Sequence, residues 1–523
     1  MKKILLLLTL FWFINTVNAT QYYISTTGSD AASGLVGFPK KTLQSVITTY
    51  ILVSGDVINV AAGTYTTESN ITLGATDVSF SIIGAGMNTT IFDFDQSNRF
   101  MTFAAANDGI SISKLTIKDY KKGSDGGAIL MSSGSNNITF TSITFDNCDV
   151  TGKGGSVYLD GNIVTFSKCT FKNCDATLYG GAISAYNATC TITISKCIFF
   201  SNTGTYGSAI EIEGTSSSLT VTNSLFYENV CGTVGTIGWD KGTTATITNC
   251  TVTYNTGPYP GIVQWDLTSA NPTSTMKNVI SYNNTGSTNC DFYENGGRMN
   301  LTNCLSTSTN TSSSRISISG TVTSCIVGSP SYTNIATDDY TLLVSSSCID
   351  AGVSVGSGGM VDDLNSFTRI NNPDIGAFES TTVPLPIELL FFRGEGLEHY
   401  NRLYWSTASE TNNDYFDILK TIDGVYYYNI VTINGAGNSV NEINYSYDDM
   451  ERIDTISYYV LKQTDFDGKF KYSDIISIDN RKSSGPILVK VTNLLGEEVS
   501  NEYRGVLLFV YSDGSVIKRF FYN

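Results

Sequence analysis

The sequence of 523 residues predicts an all-β protein whose main part is a parallel β-helix. A motif that begins with an aromatic or β-branched residue returns every 26 to 28 residues, at 117–120, 145–148, 171–174, 199–202, 226–229, 252–255 and 280–283. A second motif, typified by Gly-Gly-Ala-Ile, keeps the same period at 126–129, 154–157, 180–183, 207–210, 234–237 and 260–263. Two markers with one period and no helical periodicity between them indicate one coil of a solenoid per repeat. Short runs that alternate apolar residues with Thr or Ser, separated by Gly, Asn and Ser, predict strands and turns.

The charge of the chain limits its partners. The formal net charge is −16, and only 15% of the residues are charged. An acidic chain without a basic stripe is unlike proteins that bind nucleic acid or anionic membrane surfaces. An acidic polysaccharide would need a bound cation or a local basic cluster. Beyond the N-terminus, no apolar stretch of the sequence is long enough to span a bilayer.

The N-terminal residues 1–19 have the pattern of a secretory signal peptide. Lys2 and Lys3 precede an apolar run, and Val17 and Ala19 occupy the small-residue positions before a cleavage point. The sequence therefore predicts a protein that is secreted or carried on the outer cell surface.

The eleven cysteines follow the repeat. Residues in one slot of successive coils lie ~4.8 Å apart, the spacing between strands. We expect most of the cysteines to form interior stacks, in which Cys acts as a small hydrophobic side chain. The pairing of any disulfides stays open, and the odd total leaves at least one free thiol or an intermolecular bond. The cysteines in recurring slots are Cys148, Cys169, Cys174, Cys197, Cys250 and Cys304.

Residues 20–65 are predicted to form an N-terminal cap and the first coil, with a helix at about 42–52, and residues 66–345 the remaining coils. The sequence segments YYISTTGSD at 22–30 and SGDVINVAAGTY at 54–65 resemble the N-terminal start of right-handed β-helices of the pectate-lyase-like superfamily. The GGA[IV] and FxxN motifs over about 115–285 resemble repeats of polymorphic outer-membrane proteins and other large surface β-helices. The superfamily resemblance implies an internal asparagine ladder, whose members here would be Asn202, Asn229, Asn255 and Asn283.

Residues 346–380 resemble the closing segment of exported bacterial β-helices known as the choice-of-anchor Q type. The matching words are IDAG at 349–352, VDDLN at 361–365, Arg369, and DIGAFE at 374–379. The resemblance implies a C-terminal cap on the solenoid. A linker with two prolines, TTVPLPI at 381–387, then marks a domain boundary.

Two further segments follow the linker. Residues 388–480 alternate aromatic and β-branched residues between regular turn signals, which predicts a small β-sandwich. Their sequence segments WSTASETNNDYF and YYVLKQTDFDG resemble fibronectin-III-like modules of Bacteroidota surface proteins. Residues 485–523 resemble a C-terminal β sorting segment of the type IX secretion system, which implies the outer-membrane secretion machinery as a partner. The usual Tyr-Pro-Asn-Pro opening of that segment is absent, which leaves its processing open.

A row of polar residues supplies the candidate site. The residue three positions after each Gly-Gly-Ala-Ile motif is predicted to face outward, because side chains alternate along a strand. Glu213, Asp240 and Asp266 would then lie on consecutive coils, close enough to raise one another's pKa or to recruit a cation such as Ca²⁺. Lys241 would compensate this charge or act as a base. The alternative is a solvated face of an acidic protein. The whole row is Ser132, Asp160, Tyr186, Glu213, Asp240 and Asp266.

Aromatic residues near this row are candidates for sugar binding. The motif alignment gives Trp239 and Trp265 the same slot on adjacent coils. Alternation predicts that both indoles point into the core. If the strand is bulged there, they would instead form a sugar-stacking platform, to which Tyr186 would also belong. Arg298, after a glycine-rich loop, is a second candidate base.

The only histidine, His399, lies outside the solenoid, so the sequence excludes a histidine-dependent mechanism there. Coil lengths are nearly constant, whereas β-helix enzymes usually interrupt their coils with loops that build a cleft. The favoured interpretation is an exported β-helix that binds glycan or another surface without catalysis. The alternative is a Ca²⁺-dependent lyase of uronate-containing polysaccharide, with Lys241 or Arg298 as the base. A structural spacer is the third class.

Overall fold

The computed structural model describes two compact units, Met1–Thr381 and Thr382–Asn523. The residues that it describes are 19–68, 70–96, 98–266, 272–288, 290–307, 316–355, 362–369, 372–380, 389–408, 410–424, 426–439, 442–465, 470–481, 488–499 and 505–521. The predicted signal peptide, apart from Ala19, and the predicted linker 381–387 therefore lie outside the described residues.

The first unit is a parallel β-helix, as predicted. One of its two large sheets, here called sheet 1, has ten strands, each from a different coil. The strands of sheet 1 are Ile71–Thr72, Met101–Phe103, Ile129–Met131, Val157–Leu159, Ile183–Asn187, Ile210–Gly214, Ile237–Trp239, Ile262–Gln264, Phe292–Glu294 and Ile316–Ser317. Every neighbouring pair is parallel, as one strand per coil requires.

The other large sheet, sheet 2, has 25 strands in three rows that each run along the solenoid. The first row is Gln21–Ile24, Val57–Val60, Ser81–Gly84, Ser111–Lys122, Ile138–Asp146, Ile163–Ser167, Thr191–Ser195, Ser218–Thr222, Thr244–Thr248, Thr273–Lys277, Arg298–Thr302 and Val322–Thr323. The second row shares the two long strands of the first and adds Gly63–Tyr65, Thr90–Gln96, Thr170–Lys172, Ile198–Phe200, Leu225–Tyr227, Thr251–Thr253, Ile280–Tyr282, Leu305–Ser306 and Ile326–Val327. The third row is Asp149–Val150, Asp175–Tyr179, Thr203–Tyr206 and Val230–Val234.

The core of the solenoid is built from stacks of identical side chains. Phe145, Phe171, Phe199 and Phe226 occupy one slot of four successive coils, with ring centroids 4.8, 4.6 and 4.6 Å apart. All four rings are fully buried. Offset stacking adds to the free energy that each ring contributes by burial. The aromatic slot of the repeat motif therefore keeps one position through these four coils.

The cysteines behave as the repeat predicted. Each of the eleven is a free thiol, and all but Cys325 are buried. Cys169 lies in register with Cys197, and its amide donates a hydrogen bond to the Cys197 sulfur at 3.4 Å. Cys148 and Cys174 are stacked in the same way.

The asparagine ladder is present, but its last member is Asn284 rather than the predicted Asn283. In this ladder the side-chain Nδ2 of each asparagine donates a hydrogen bond to Oδ1 of the next. The last of these hydrogen bonds runs from Asn255 to Oδ1 of Asn284, at 2.9 Å. The prediction was wrong at this rung because Val252 pairs with Ser281 instead of Ile280. The coil is one residue longer than the motif alignment assumed, so Asn283 lies outside the ladder.

The N-terminal end is closed by a short helix, Leu43–Thr49. Thr42 is its N-cap and accepts a hydrogen bond from the Ser45 amide, and Leu43, Val46 and Ile47 are buried against the first coils. The predicted helix continued to Leu52, but the backbone is already extended at Tyr50. The helix thus ends where Leu52 has to enter the core, where it is fully buried.

The sequence predicted that the closing segment, residues 346–380, caps the end of the solenoid. In the structure the segment packs along the side of the solenoid instead. Ile375, Ala377 and Phe378 cover outward apolar side chains of the second row of sheet 2, among them Leu225, Tyr227, Ile280 and Leu305. A buried ion pair between Arg369 and Glu379, 2.9 Å long, fixes the segment, and the Arg369 guanidinium also donates to Oδ1 of Asn223. The segment lies at the side because the outward side chains of this face are apolar, and the segment buries them. A hairpin of Tyr332–Asn334 and Asp339–Leu342, with a 3-10 turn at Ile335–Thr337, precedes the segment.

The described strands of the second unit form antiparallel sheets only. A three-stranded and a five-stranded sheet share one core around Leu403, Trp405, Phe416, Ile418 and Tyr459. This arrangement is the sandwich that the sequence predicts, while the likeness to fibronectin III stays a prediction. The strands are Leu389–Gly396, Asn401–Thr407 and Ile443–Asp449, then Glu410–Thr421, Tyr428–Ser439, Ile456–Asp465, Phe470–Tyr472 and Ile476–Asp479.

The last described residues form a third antiparallel sheet of Leu488–Thr492, Gly505–Tyr511 and Val516–Phe521. The assignment of this region as a sorting segment stays a prediction. Among the described residues, no helix has the length and apolar character needed to cross a membrane.

Candidate functional site

The register of sheet 1 separates the two solenoid tryptophans. Ile262 pairs with Ile237, and Gln264 pairs with Trp239. Trp265 therefore takes the outward slot of Asp240 on the next coil and is half-buried, whereas Trp239 is fully buried in the core. The prediction that the two indoles share a slot was wrong, because this coil is one residue shorter than the motif alignment assumed.

Two outward rows of sheet 1, with a facing row of turn residues, line a face of the solenoid that is here called the groove; one row is its floor and the other one rim. Their side chains alternate with core residues such as Ile210 and Ile212, which are fully buried. The floor row is Tyr158, Ser184, Glu211, Gly238, Val263 and Tyr293, and the rim row is Asp160, Tyr186, Glu213, Asp240 and Trp265.

The opposite wall of the groove comes from the residue before the first glycine of each Gly-Gly-type motif, or before Pro260 in the coil of Tyr259. Gly180 has φ +63°, and a Cβ there would lie 2.1 Å from the carbonyl oxygen of Ile183. Only glycine fits this sharp turn, which brings the preceding strand round to face the floor of the groove. The wall residues are Lys153, Tyr179, Tyr206, Val234 and Tyr259, placed in line by hydrogen bonds from each motif to the next coil.

Aromatic rings and lysines form a first cluster at one part of the groove. The Tyr179 ring lies 5.6 Å from Tyr186 and 5.0 Å from Tyr206, measured between centroids. The ammonium groups of Lys153 and Lys241 lie 4.3 and 4.5 Å from the centroid of the Tyr186 ring. Because Tyr179 and Tyr186 approach across the groove, Ser184 beneath them is fully buried.

A second aromatic cluster lies further along the groove. Trp265 is 5.6 Å from Tyr259 and 5.8 Å from Tyr293, and Tyr259 and Tyr293 are 4.7 Å apart. These rings cover Val263, which belongs with Val234 and Cys290 to an apolar cluster separate from the coil core. The groove thus has an aromatic surface on each side of the coils that carry Glu211 and Gly238.

Glu211 lies in the floor between the two clusters. Only 4% of the residue is exposed, and none of the described residues donates a hydrogen bond to its Oε2. A Cβ on Gly238 would lie 2.1 Å from that oxygen, so the carboxyl group occupies the space that a side chain at 238 would fill. Burial raises the pKa of Glu211 well above its ordinary value, and the charges of Glu213 and Asp240 raise it further.

Glu213 and Lys241 form an ion pair on the rim, with Nζ 3.1 Å from Oε2. Partial burial acts to lower the pKa of Lys241, but the hydrogen bond and charge of Glu213 outweigh it, so that the pKa lies above its ordinary value. A lysine that serves as a base must release its proton readily. The arrangement therefore favours a positioning role for Lys241 over the role of a base that the sequence suggested as an alternative.

The sequence predicted that Glu213, Asp240 and Asp266 form one outward row, but the structure places only Glu213 and Asp240 in it. Asp266 lies one position beyond the slot of Asp240, is 2% exposed, and accepts a hydrogen bond from the Gly242 amide at 3.1 Å. Among the described residues there is no group of three or more His, Cys, Asp or Glu side chains placed to hold a metal ion. Calcium binding stays a prediction of the sequence. Arg298 is exposed and begins a strand of sheet 2, so it is not part of the groove.

Sequence analysis missed Glu211 and the wall tyrosines. Glu211 carries a signal in the alternating run Ile-Glu-Ile-Glu at 210–213, in which both glutamates must share a face. The wall residues share a position directly before the Gly-Gly-type motif, where Tyr179, Tyr206 and Tyr259 recur. Aligning the residue before the motif as well as those after it would have found this wall.

Comparison with known proteins agrees on the architecture. Residues 88–271 match the family described as "Right handed beta helix region". No curated protein shows a significant match to the sequence. Similar solved structures include a pectin methylesterase from carrot, 15% identical with a TM-score of 0.37, which covers 55% of this chain and 89% of that chain. A rhamnogalacturonan lyase is 14% identical with a TM-score of 0.39 and covers 70% and 96%.

A third similar structure is the tailspike gp49 from Acinetobacter baumannii bacteriophage Fri1, a capsular polysaccharide depolymerase. It is 10% identical with a TM-score of 0.29, and the match covers 91% of this chain and 80% of that chain. These values are too low to carry an argument about activity. The first unit is a right-handed parallel β-helix.

Proposed function

We propose that the protein binds a polysaccharide along the groove on sheet 1. The observation that carries this proposal is the pair of aromatic clusters, one around Tyr186 and one around Trp265, on either side of the carboxyl group of Glu211. Aromatic faces stack on the apolar faces of sugar rings, and a few convergent polar groups orient a ligand in such a site. Three coil steps separate Tyr186 from Trp265, ~14 Å at the inter-strand spacing. This distance suits a short run of sugar rings.

The charges of the groove favour a neutral glycan or an amino sugar over a uronate polymer. Its two lysines are already matched, Lys241 with Glu213 at 3.1 Å and Lys153 with Asp125 at 4.0 Å. Asp160 and Asp240 add further negative charge to the rim. Electrostatic complementarity decides between ligands of similar shape, and like charges disfavour binding. The groove therefore supports the lyase alternative, which requires uronate, less than it supports the binding of a neutral glycan.

We propose in addition that the chain is exported and acts at the outer cell surface or beyond it. The support is the signal-peptide pattern of residues 1–19 and the resemblance of residues 485–523 to a type IX sorting segment. The secretion machinery of the outer membrane would then be a transient partner. Cell fractionation of an epitope-tagged chain tests this, and a chain that stays in the cytoplasm contradicts it.

The binding proposal is tested by retention on immobilised polysaccharides. The panel contains neutral polymers (xylan, laminarin and galactomannan), the amino polymer chitosan and the uronate polymer polygalacturonate, each with Ca²⁺ and with a chelator. We expect retention on a neutral or amino polymer that the chelator does not change. Trp265→Ala and Tyr186→Ala should each weaken retention about tenfold, which corresponds to ~1.4 kcal/mol.

The matched control is Tyr426→Ala, because Tyr426 is 78% exposed and lies in the second unit. Thermal unfolding of each variant shows that the fold is intact. Retention of the Trp265 variant equal to that of the unchanged chain contradicts the proposed groove. Retention on the uronate polymer that disappears with the chelator favours the calcium-dependent alternative.

A further inference from the structure

Two carboxyl groups stand on one strand in the floor and rim of the groove. Glu211 and Glu213 are alternate residues of the strand Ile210–Gly214, so both side chains leave the same face of sheet 1. Their points of attachment are ~6.7 Å apart, two strand residues. Two side chains that share one face of a strand can contact the same ligand.

The surroundings of the two groups differ in the way that acid and base catalysis requires. Glu211 is 4% exposed, its Oε2 receives no hydrogen bond from the described residues, and its nearest charged neighbours are the carboxyl groups of Glu213 and Asp240. Glu213 is held in an ion pair by Lys241 on the rim. The first environment stabilises the neutral acid, whereas the second places an ammonium group against Glu213.

We infer that the groove hydrolyses glycosidic bonds, with Glu211 as the general acid and Glu213 as the general base. The inference rests on the glycan binding proposed above. Glu211 donates its proton to the glycosidic oxygen as the bond from that oxygen to the anomeric carbon breaks. A water molecule adds to the anomeric carbon and gives its proton to Glu213. The products are a new reducing end and a free hydroxyl group, and proton exchange with solvent restores both side chains.

The remaining groove residues support this chemistry without touching the reacting atoms. Lys241 positions Glu213 through their ion pair, and Gly238 leaves the space in which the Glu211 carboxyl group lies. The two aromatic clusters hold the sugars on either side of the bond that breaks. The surrounding protein leaves only 4% of Glu211 exposed, which keeps the acid in a site of low polarity. The chemistry needs no uronate group and no cation, in agreement with the charge of the rim.

The test uses the full chain and the polysaccharides of the retention panel, with new reducing ends and retention measured on the same samples. We expect release of reducing ends from the polymer that is retained. Glu211→Gln should lower the rate about 10²-fold or more, the size of a general acid contribution, at unchanged retention. Glu213→Gln should have a comparable effect. Glu228→Gln is the matched control, since Glu228 is exposed and lies outside sheet 1, and its rate should be unchanged.

The pH profile separates a catalytic role of Glu211 from a structural one. The rate should fall as the pH rises and Glu211 loses its proton, and this alkaline limb should be absent in Glu211→Gln. The groups that face Glu211 are Glu213, Asp240, Tyr179 and Cys231. Retention of glycan by the unchanged chain without new reducing ends overturns the hydrolysis but leaves the binding proposal intact. A Glu211→Gln rate equal to that of the unchanged chain overturns the assigned role, and loss of retention throughout the panel overturns both proposals.

Discussion

Replacing Asn229 by alanine tests how the solenoid is held together. Its Nδ2 donates to the carbonyl oxygens of Phe199 and Tyr227 at 3.0 and 3.1 Å and to Oδ1 of Asn255 at 2.9 Å. Its Oδ1 accepts from the amide and from Nδ2 of Asn202, at 3.1 and 2.9 Å. The residue is fully buried, so water cannot replace these partners.

The magnitude follows from these contacts. Alanine removes all five hydrogen bonds and leaves buried donors and acceptors on the neighbouring coils without a partner. A net hydrogen bond contributes ~1 kcal/mol, and an unsatisfied buried group costs ~1–3 kcal/mol. The free energy of unfolding of the solenoid should therefore fall by ~5 kcal/mol.

Asn283→Ala is the matched control, because the motif assigns Asn283 to the ladder and the structure does not. Asn283 has φ +53°, so alanine there adds backbone strain of only ~1–2 kcal/mol. Urea unfolding followed by tryptophan emission measures both variants, in a Trp12→Phe, Trp405→Phe background that leaves Trp239 and Trp265 in the solenoid. A loss below ~1.5 kcal/mol for Asn229→Ala, or equal losses for the two variants, refutes the ladder as the source of stability.

Three further predictions concern buried groups. Gly238→Ala should destabilise the chain by ~1–3 kcal/mol, because a Cβ at position 238 would lie 2.1 Å from the Glu211 carboxyl oxygen. Adding Glu211→Ala removes that carboxyl group and should restore most of the lost stability, as measured by thermal melts. Because the pKa of Glu211 is raised in the folded chain, the folded chain binds more protons than the unfolded chain, and stability falls as the pH rises above the ordinary carboxyl range. Glu211→Gln should thus melt higher than the unchanged chain at pH 8, with the gain shrinking towards pH 4, and a gain independent of pH contradicts the assignment. Arg369→Ala should cost ~3–5 kcal/mol, since it leaves Glu379 buried and uncompensated; Arg481→Ala, which breaks an exposed pair, should cost less than ~1 kcal/mol in the same urea titration.

The sequence predicted the fold because its markers report the core directly. Phe145 and Phe171 recur in one slot of the motif, and their rings stack in the core. The alternation of apolar and polar residues around Ile210 and Ile212 is that of a half-buried strand. The cysteine stacks follow from the same register. These features depend on local pattern and period, both of which are visible in a single chain.

The details of the site could not be predicted, because they depend on register. One residue lost between Ile237 and Ile262 moves Trp265 from the core slot to the rim of the groove. One residue gained before Ser281 moves the ladder from Asn283 to Asn284. A slip of one residue turns a side chain to the other face of its strand, and glycine motifs mark the turns without fixing the length between them. The lateral position of the closing segment depends on contacts with coils far away in sequence, such as that of Arg369 with Asn223.

The emission of Trp265 tests the groove most directly. Trp239 and Trp405 are fully buried, whereas Trp265 is half-buried at the rim beside Tyr259 and Tyr293. In the Trp12→Phe, Trp405→Phe chain, titration with a glycan that the chain retains should shift the emission to shorter wavelength and protect it from acrylamide. Trp265→Phe in the same background should show neither change. Retention of the glycan with unchanged Trp265 emission and quenching would place the binding surface elsewhere and contradict the account.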